Sequence, residues 1–303
     1  MLSWIRGSLR DAYVRSLERD ITDPPTHIAV IQDGNRRFAR RRGRPPTDGH
    51  REGAETTEQL LEWCRDLDIK ELTLYAFSTE NFDRPAEERE PLFDLITRKL
   101  RELSDSDEVA EHEVAIRAIG DIHRLPTRVR QAVDYAERQT ASHDQFQLNV
   151  ALAYGGRSEL LTAAQEIAHE VEVGAISPEE IDEQTIDNQL YANEIGDVDL
   201  IIRTGGDERT SNFLPWHANG NEAAVVFCAP YWPEFSKIDF LRTIRTYEYR
   251  EAEWRRSRVE RGLALVRGFG DRELPRARNI VRSLRTTDSP GELERSGRPR
   301  SGE

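Results

Sequence analysis

The chain has 303 residues, with 43 Lys plus Arg against 56 Asp plus Glu and a formal charge of −13. That length admits one large domain or two small ones, and a 37% hydrophobic fraction with five Trp, eight Tyr and ten Phe excludes wholesale disorder. No run of about 18 apolar residues exists and the N-terminus lacks the apolar stretch of a signal peptide, so a cytoplasmic chain that does not span a membrane is expected.

The mean hydropathy is −0.71, and the basic residues are Arg apart from Lys70, Lys99 and Lys237. Acidic excess with scarce Lys suggests adaptation to high salt, where the Debye length of about 3 Å near 1 M screens repulsion among surface carboxylates. The same charge argues against a nucleic-acid partner, which needs a basic face. Any anionic ligand must find a local basic site. Cys64 and Cys228 sit in apolar runs without metal-ligand spacing, which points to core positions and against a disulfide framework or zinc.

The chain opens with an amphipathic helix inside residues 1–24, with Leu2, Trp4, Ile5, Leu9, Tyr13 and Leu17 mostly on one side. Packing on the domain and lying on a membrane surface are both open to it. From there β and α patterns alternate. Strands are expected at His27 to Gln32, Glu71 to Phe77, Val114 to Ile119, Gln147 to Tyr154, Val198 to Thr204 and Ala223 to Cys228. Between them run helical faces: Leu60, Leu61, Cys64 and Leu67; Leu92, Phe93, Ile96, Leu100 and Leu103; then Val129, Ala132, Val133 and Ala136. The expected fold is α/β, a single domain over residues 25–256 with a mostly parallel six-stranded sheet flanked by helices. Residues 257–285 read as a C-terminal helical extension and residues 286–303, rich in Ser, Pro, Gly, Arg and Glu, as a disordered tail.

In open α/β sheets ligands bind beyond the carboxyl ends of the strands. After the first strand come Asp33, Gly34 and Asn35, then Arg36, Arg37, Phe38 and four further arginines, with His50 behind them. A carboxylate at a strand end can hold Mg²⁺, glycine admits backbone N–H groups to an oxyanion, and Arg forks match phosphate oxygens. This is a diphosphate site in outline, although a turn followed by a solvated basic helix would read similarly. The second strand ends in Ser78, Thr79, Glu80, Asn81, Phe82, Asp83 and Arg84, by itself an ordinary helix-entry loop. The fifth runs into Arg203, the Gly205-Gly206 pair, Asp207, Arg209, Thr210 and Ser211, a second anion site, and Glu222 stands just before the last strand. Arginines, carboxylates and hydroxyls at three strand ends suit two diphosphates better than one.

The segments HIAVIQDGNRRFARRRG with GH at 49–50, YAFSTENFDRP at 75–85, IRAIGD at 116–121, LNVALAYGGR at 148–157 and DLIIRTGGDERTSNFLPW at 199–216 together resemble the cis-prenyltransferases, also called undecaprenyl diphosphate synthases. The Asn-Arg-Arg-Phe form is closer to the archaeal and eukaryotic branch, and an archaeal source fits the salt-adapted composition. The resemblance implies sequential Z-condensation of isopentenyl diphosphate onto an allylic diphosphate, farnesyl or geranylgeranyl. It implies Mg²⁺ as cofactor, a homodimer, and a hydrocarbon product that favours peripheral contact with the inner face of the membrane. Asp33 and Glu222 match metal-associated carboxylates. Gly34, Asn35, Arg36, Arg37, His50 and Arg84 match the allylic diphosphate site. Phe38, Ser78, Thr79, Glu80 and Phe82 match other substrate contacts, and Asn81 the polar residue that helps remove the proton. Arg203, Arg209, Thr210 and Ser211 fall in the isopentenyl diphosphate site.

Three departures stand out: Asp207 where many members have Glu, Gln32 for an apolar residue, and Pro46 where bacterial members carry Arg, with Arg44 a candidate substitute. An apolar tunnel is expected between the sheet and the helix bearing Leu92, Phe93, Ile96 and Leu100, with Phe146 at its deep end or merely filling core. A HAD-type phosphatase is disfavoured because position 35 is Asn and not a second aspartate. The chain contains no Asp-Asp pair, which disfavours a trans-prenyltransferase, and a non-catalytic partner subunit would not need Asp33, Arg37, His50, Asn81 and Arg84 together.

Overall fold

The computed structural model describes residues 2–190, 195–216 and 223–268. Contacts divide the chain into a unit of residues 1–247 and a second from residue 248 onward, of which the described part is helical. The expected tail at 286–303, and the extension beyond residue 268, lie outside the described residues.

Helix α1 (Leu2–Asp20) leads into β1 (His27–Ile31), then α2 (Asn35–Arg41), α3 (Pro46–Asp66) and β2 (Glu71–Ser78). A 3-10 turn (Thr79–Asp83) precedes α4 (Ala86–Ser104), short α5 (Asp107–Glu111), β3 (Val114–Ile119), α6 (Thr127–Gln139) and β4 (Phe146–Tyr154). There follow α7 (Gly156–Glu172), α8 (Glu183–Asp187), β5 (Leu200–Arg203), β6 (Ala224–Phe227) and α9 (Lys237–Gly268). Each expected strand is present to within two residues at either end.

The six strands form one sheet in the order β3-β4-β2-β1-β5-β6, with every pairing parallel. Alternation splits their side chains between two cores. Ile28 and Val30 join the larger one with α3, α4, α6 and the start of α9, whereas Ala29 and Ile31 join the smaller one with Tyr154, Ile201 and Phe213. Burying each such large side chain contributes about 1.5–3 kcal/mol. Cys64 is buried in the larger core, as expected, and Cys228 is half-buried.

The two sheet edges differ. On β3 the free N–H groups of Ala118 and Ile116 donate to Glu137 Oε1 and Thr140 Oγ1, both at 2.9 Å, so that edge is blocked. On β6 Ala224, Val225 and Val226 are half-buried and Phe227 is exposed. The second half of α1 packs on the domain through Val14 and Leu17, and Glu18 pairs with Lys237 at 2.7 Å; Leu9 on the same helix is 66% exposed. The side chains of Leu2, Trp4 and Ile5 lie outside the described residues.

Candidate active site

Strand order places the site. From central β1 the chain builds outward to β2 and β4 on one side and to β5 and β6 on the other, so the crevice at the carboxyl ends of β1 and β5 is the switch point where ligands bind. Asp33 follows β1 there and Arg203 ends β5. Ile31 pairs with Arg203, and Gly205, at φ 88°, brings the following turn so close that a Cβ would stand 3.1 Å from the Asp33 carbonyl. Gly34 has φ 101°, and a Cβ there would meet Tyr231 at 2.7–3.0 Å, so both turns require glycine.

Asp33 Oδ2 accepts from Arg203 Nη2 at 2.7 Å, Oδ1 lies 3.0 Å from Arg37 Nη2, and the Gly34 N–H donates to Oδ1 at 2.6 Å. Burial alone would raise the Asp33 pKa, but the hydrogen bonds and positive charges of Arg203 and Arg37 outweigh it and hold the carboxyl below its ordinary range. Asp207 gathers the same arginines, at 3.3 Å from Arg37 and Arg203 and 3.5 Å from Arg209. Arg203, whose side chain is 3% exposed, also donates to Ser211 Oγ and to the Arg209 carbonyl, each at 2.5 Å. Its Nε, and Asn35 Oδ1, are buried without a hydrogen-bond partner among the described residues.

Around the same opening, burial pushes the His50 imidazole down to about 4, with help from the charges of Arg84 and Arg36, so it is a neutral donor at pH 7. Burial lowers the Arg84 pKa, and Arg36 adds to the effect. The Arg84 cation and the neutral His50, both at the cavity mouth, suit an anion. Ser78 and Asn81 cap the 3-10 turn reciprocally, with the Ser78 N–H donating to Asn81 Oδ1 at 3.2 Å.

These groups border a cavity of about 420 Å³ that runs from Asp33 and Arg203 along the sheet beneath α3 and α4. Its mouth carries Asn35, His50, Ser78, Glu80, Asn81, Arg84, Arg209 and Ser211, and its wall is apolar, with Leu74, Leu92, Ile96, Leu100, Leu148 and Val150. The apolar space expected between the sheet and α4 is therefore present.

Other expected site residues lie elsewhere. Phe38 is buried, with Arg42 stacked 3.7 Å over its ring, so it is a core anchor for α2 and not a cavity contact. Phe82 packs edge-on to Phe77 at 5.0 Å, behind the wall. Arg36 reaches Glu88 at 3.3 Å, and the Thr210 carbonyl accepts the Phe213 N–H in a turn. Thr79 stands against Gly155, outside the cavity wall. Arg44 pairs with Asp48 at 3.0 Å and with Glu52, away from the cavity. Glu222 lies outside the described residues. Sequence reasoning did not place Gln32 or Trp232 in the wall. Gln32 is held by Thr57 Oγ1 at 2.6 Å, and buried Trp232 donates to the Gly53 carbonyl at 2.7 Å. Trp232 follows the last strand, so the same strand-end rule would have found it.

A hard carboxylate beside arginines suits Mg²⁺, which takes one or two carboxylates and completes its shell with water and substrate phosphates. Among the described residues no three metal-ligating side chains cluster.

The family model described as "Putative undecaprenyl diphosphate synthase" matches residues 31–255. The chain belongs to this family. It is 60% identical over 284 residues to the tritrans,polycis-undecaprenyl-diphosphate synthase (geranylgeranyl-diphosphate specific) of Halobacterium salinarum, covering 93% of this chain and 94% of that one. It is 58% identical over 274 residues to the protein of the same name from Haloarcula marismortui, covering 90% of each. In three dimensions this cis-prenyltransferase is similar to lavandulyl diphosphate synthase from Lavandula x intermedia, solved with dimethylallyl diphosphate. The TM-score is 0.69 at 33% identity, over 74% of this chain and 95% of that one.

Proposed function

We propose that this cis-prenyltransferase elongates geranylgeranyl diphosphate by successive Z-condensations of isopentenyl diphosphate, with Mg²⁺ as cofactor, and so makes the lipid that carries glycans. The observation that carries the reading is an anion site built on Asp33 and Arg203 opening into a deep apolar cavity, the shape of a molecule with a diphosphate head and a hydrocarbon tail. The primer follows the specificity stated in the names of the haloarchaeal relatives.

Arg37, Arg84 and His50, with the Gly34 and Asn35 backbone, hold the allylic diphosphate, and the tail enters the cavity. Arg203, Arg209 and Ser211 orient isopentenyl diphosphate beside it, which converts a bimolecular encounter into an aligned one. The allylic C1–O bond breaks with its electron pair leaving on diphosphate, and the arginines offset that charge where it develops. The isopentenyl double bond attacks C1, and a proton lost from the adjacent carbon leaves the new Z double bond. An oxygen of the departing diphosphate takes that proton, and Asn81, an amide and too weak a base to keep it, orients the transfer. Mg²⁺, when bound, supplies further neutralisation of the leaving diphosphate. Asp33 would hold it, with Glu222 the expected second carboxylate.

Two further readings belong to the same proposal. The half-exposed β6 edge with Phe227 supports a homodimer, and exposed Leu9 on α1 supports peripheral contact with the inner face of the membrane from the cytoplasm; no described helix is long and apolar enough to cross one.

The test is mass spectrometry of products from purified protein, Mg²⁺, labelled isopentenyl diphosphate and either farnesyl or geranylgeranyl diphosphate. Elongation of geranylgeranyl diphosphate that stops with chelator is expected, and Asp33→Ala should abolish it. A variant keeping more than about a tenth of the turnover loses only about 1.4 kcal/mol of barrier lowering, too little for a metal-bearing group, and would remove Asp33 from that role.

A further inference from the structure

The cavity wall contains one element that an apolar tunnel does not need. Glu58 on α3 and Lys99 on α4 both line it, among Leu61, Leu100 and Leu103. Their charged ends meet at 2.9 Å across the seam between the two helices, with side chains 49% and 32% exposed. A pair that borders the cavity and also reaches solvent makes the wall one side chain thick there. Lys99 lies 2.9 Å from Glu102 as well, so a single cation holds two carboxylates. In a chain with only three lysines, one stands at this seam.

Cavities of about 300–1,000 Å³ hold ligands of drug size. At about 420 Å³ this one is of the size that receives a primer tail, and each added isoprene unit asks for more room. Straight ahead the way narrows: Glu58, Leu61 and Leu103 border both this cavity and a small one of about 30 Å³ that ends on Phe146. To the side, the seam between α3 and α4 is spanned by the Glu58–Lys99 pair, which reaches solvent.

The geometry points to Lys99 and Glu58 as an ionic latch over a lateral opening, which decides how far the growing chain extends before release. This rests on the proposed elongation reaction. While the latch is shut, the tail end meets the wall and further condensation is hindered. When it opens, the tail passes between the helices and condensation continues. Exposed ion pairs bias such an equilibrium by about fivefold at most. That is small for stability, but it acts at each round in which elongation competes with release.

Lys99→Met removes the cation and leaves Glu58 and Glu102 to repel across the seam, whereas Glu58→Gln leaves Lys99 with Glu102. The first variant should therefore lengthen products more than the second. The experiment compares product-length distributions of the full chain and its variants with Mg²⁺, geranylgeranyl diphosphate and labelled isopentenyl diphosphate. Expected are a mean product longer by at least one isoprene unit in Lys99→Met, a smaller shift in Glu58→Gln, and a return to the parent distribution in Lys99→Arg and in the charge-swapped Glu58→Lys/Lys99→Glu protein. Parent protein that condenses nothing would overturn the reaction and the latch with it. Parent protein that elongates while Lys99→Met gives the same distribution, or a shift that the swapped pair does not reverse, would overturn the latch alone.

Discussion

Arg203 at the end of β5 donates to Asp33 after β1 at 2.7 Å, and another nitrogen of the same guanidinium reaches Ser211 at 2.5 Å. One buried side chain thus ties the group proposed to bear the metal to the group proposed to hold isopentenyl diphosphate. The two proposed substrate sites share a part.

Arg203→Ala should therefore raise KM for isopentenyl diphosphate and also lower kcat, since Asp33 loses its strongest partner. A charge-assisted hydrogen bond contributes about 1.5–3 kcal/mol, so each effect should be about ten- to a hundredfold. Arg203→Lys should rescue poorly, because one ammonium cannot serve both partners as a planar fork does. Steady-state kinetics with varied isopentenyl diphosphate checks this; a KM effect at unchanged kcat would separate the two sites.

Phe146 is buried at the start of β4, at the end of the strand away from Tyr154, and borders the small cavity beyond Leu61 and Leu103. Phe146→Ala should cost about 3–5 kcal/mol of stability. It should also enlarge that cavity and lengthen the product, with the first condensation little changed. Denaturant unfolding and product analysis of the same preparation check both; an unchanged length distribution in folded, active protein leaves Phe146 as core alone.

His50 titrates near 4 in the folded chain and near its ordinary 6.5 when unfolded, because burial and the charges of Arg84 and Arg36 oppose its protonation. Between those values the unfolded state binds more protons. Stability from this group is therefore complete above about pH 6.5 and lost as pH falls toward 4, by about 3 kcal/mol in all. Unfolding curves of the parent and His50→Gln proteins at pH 7, 5.5 and 4 should show the parent losing stability relative to the variant over that range. An unchanged difference would mean that His50 is protonated as easily folded as unfolded.

The charge of −13 with few lysines should make folding depend on salt. The thermal midpoint should rise between dilute buffer and about 2 M KCl, as screening removes repulsion among surface carboxylates. A midpoint that stays level would contradict the screening argument.

What the sequence determined by itself was local. Alternating apolar residues marked six strands, helical spacing marked the buried faces of α3, α4 and α6, and strand-end glycines, arginines and carboxylates marked two anion sites. These are legible because the period of burial along one element is written in consecutive residues. The neighbours of those elements were not. That residues 33 and 203 touch across 170 positions follows from β1 lying between β2 and β5, a pairing order that no single segment encodes. Phe38 shows the same limit from the other side: its motif placed it among substrate contacts, but the packing of α2 turned it into the core beneath Arg42. Gln32, Trp232 and the Glu58–Lys99 pair became parts of one cavity wall only when several distant elements closed around the same space. Which side of an element is buried depends on its own residues, whereas what it is buried against depends on the whole chain.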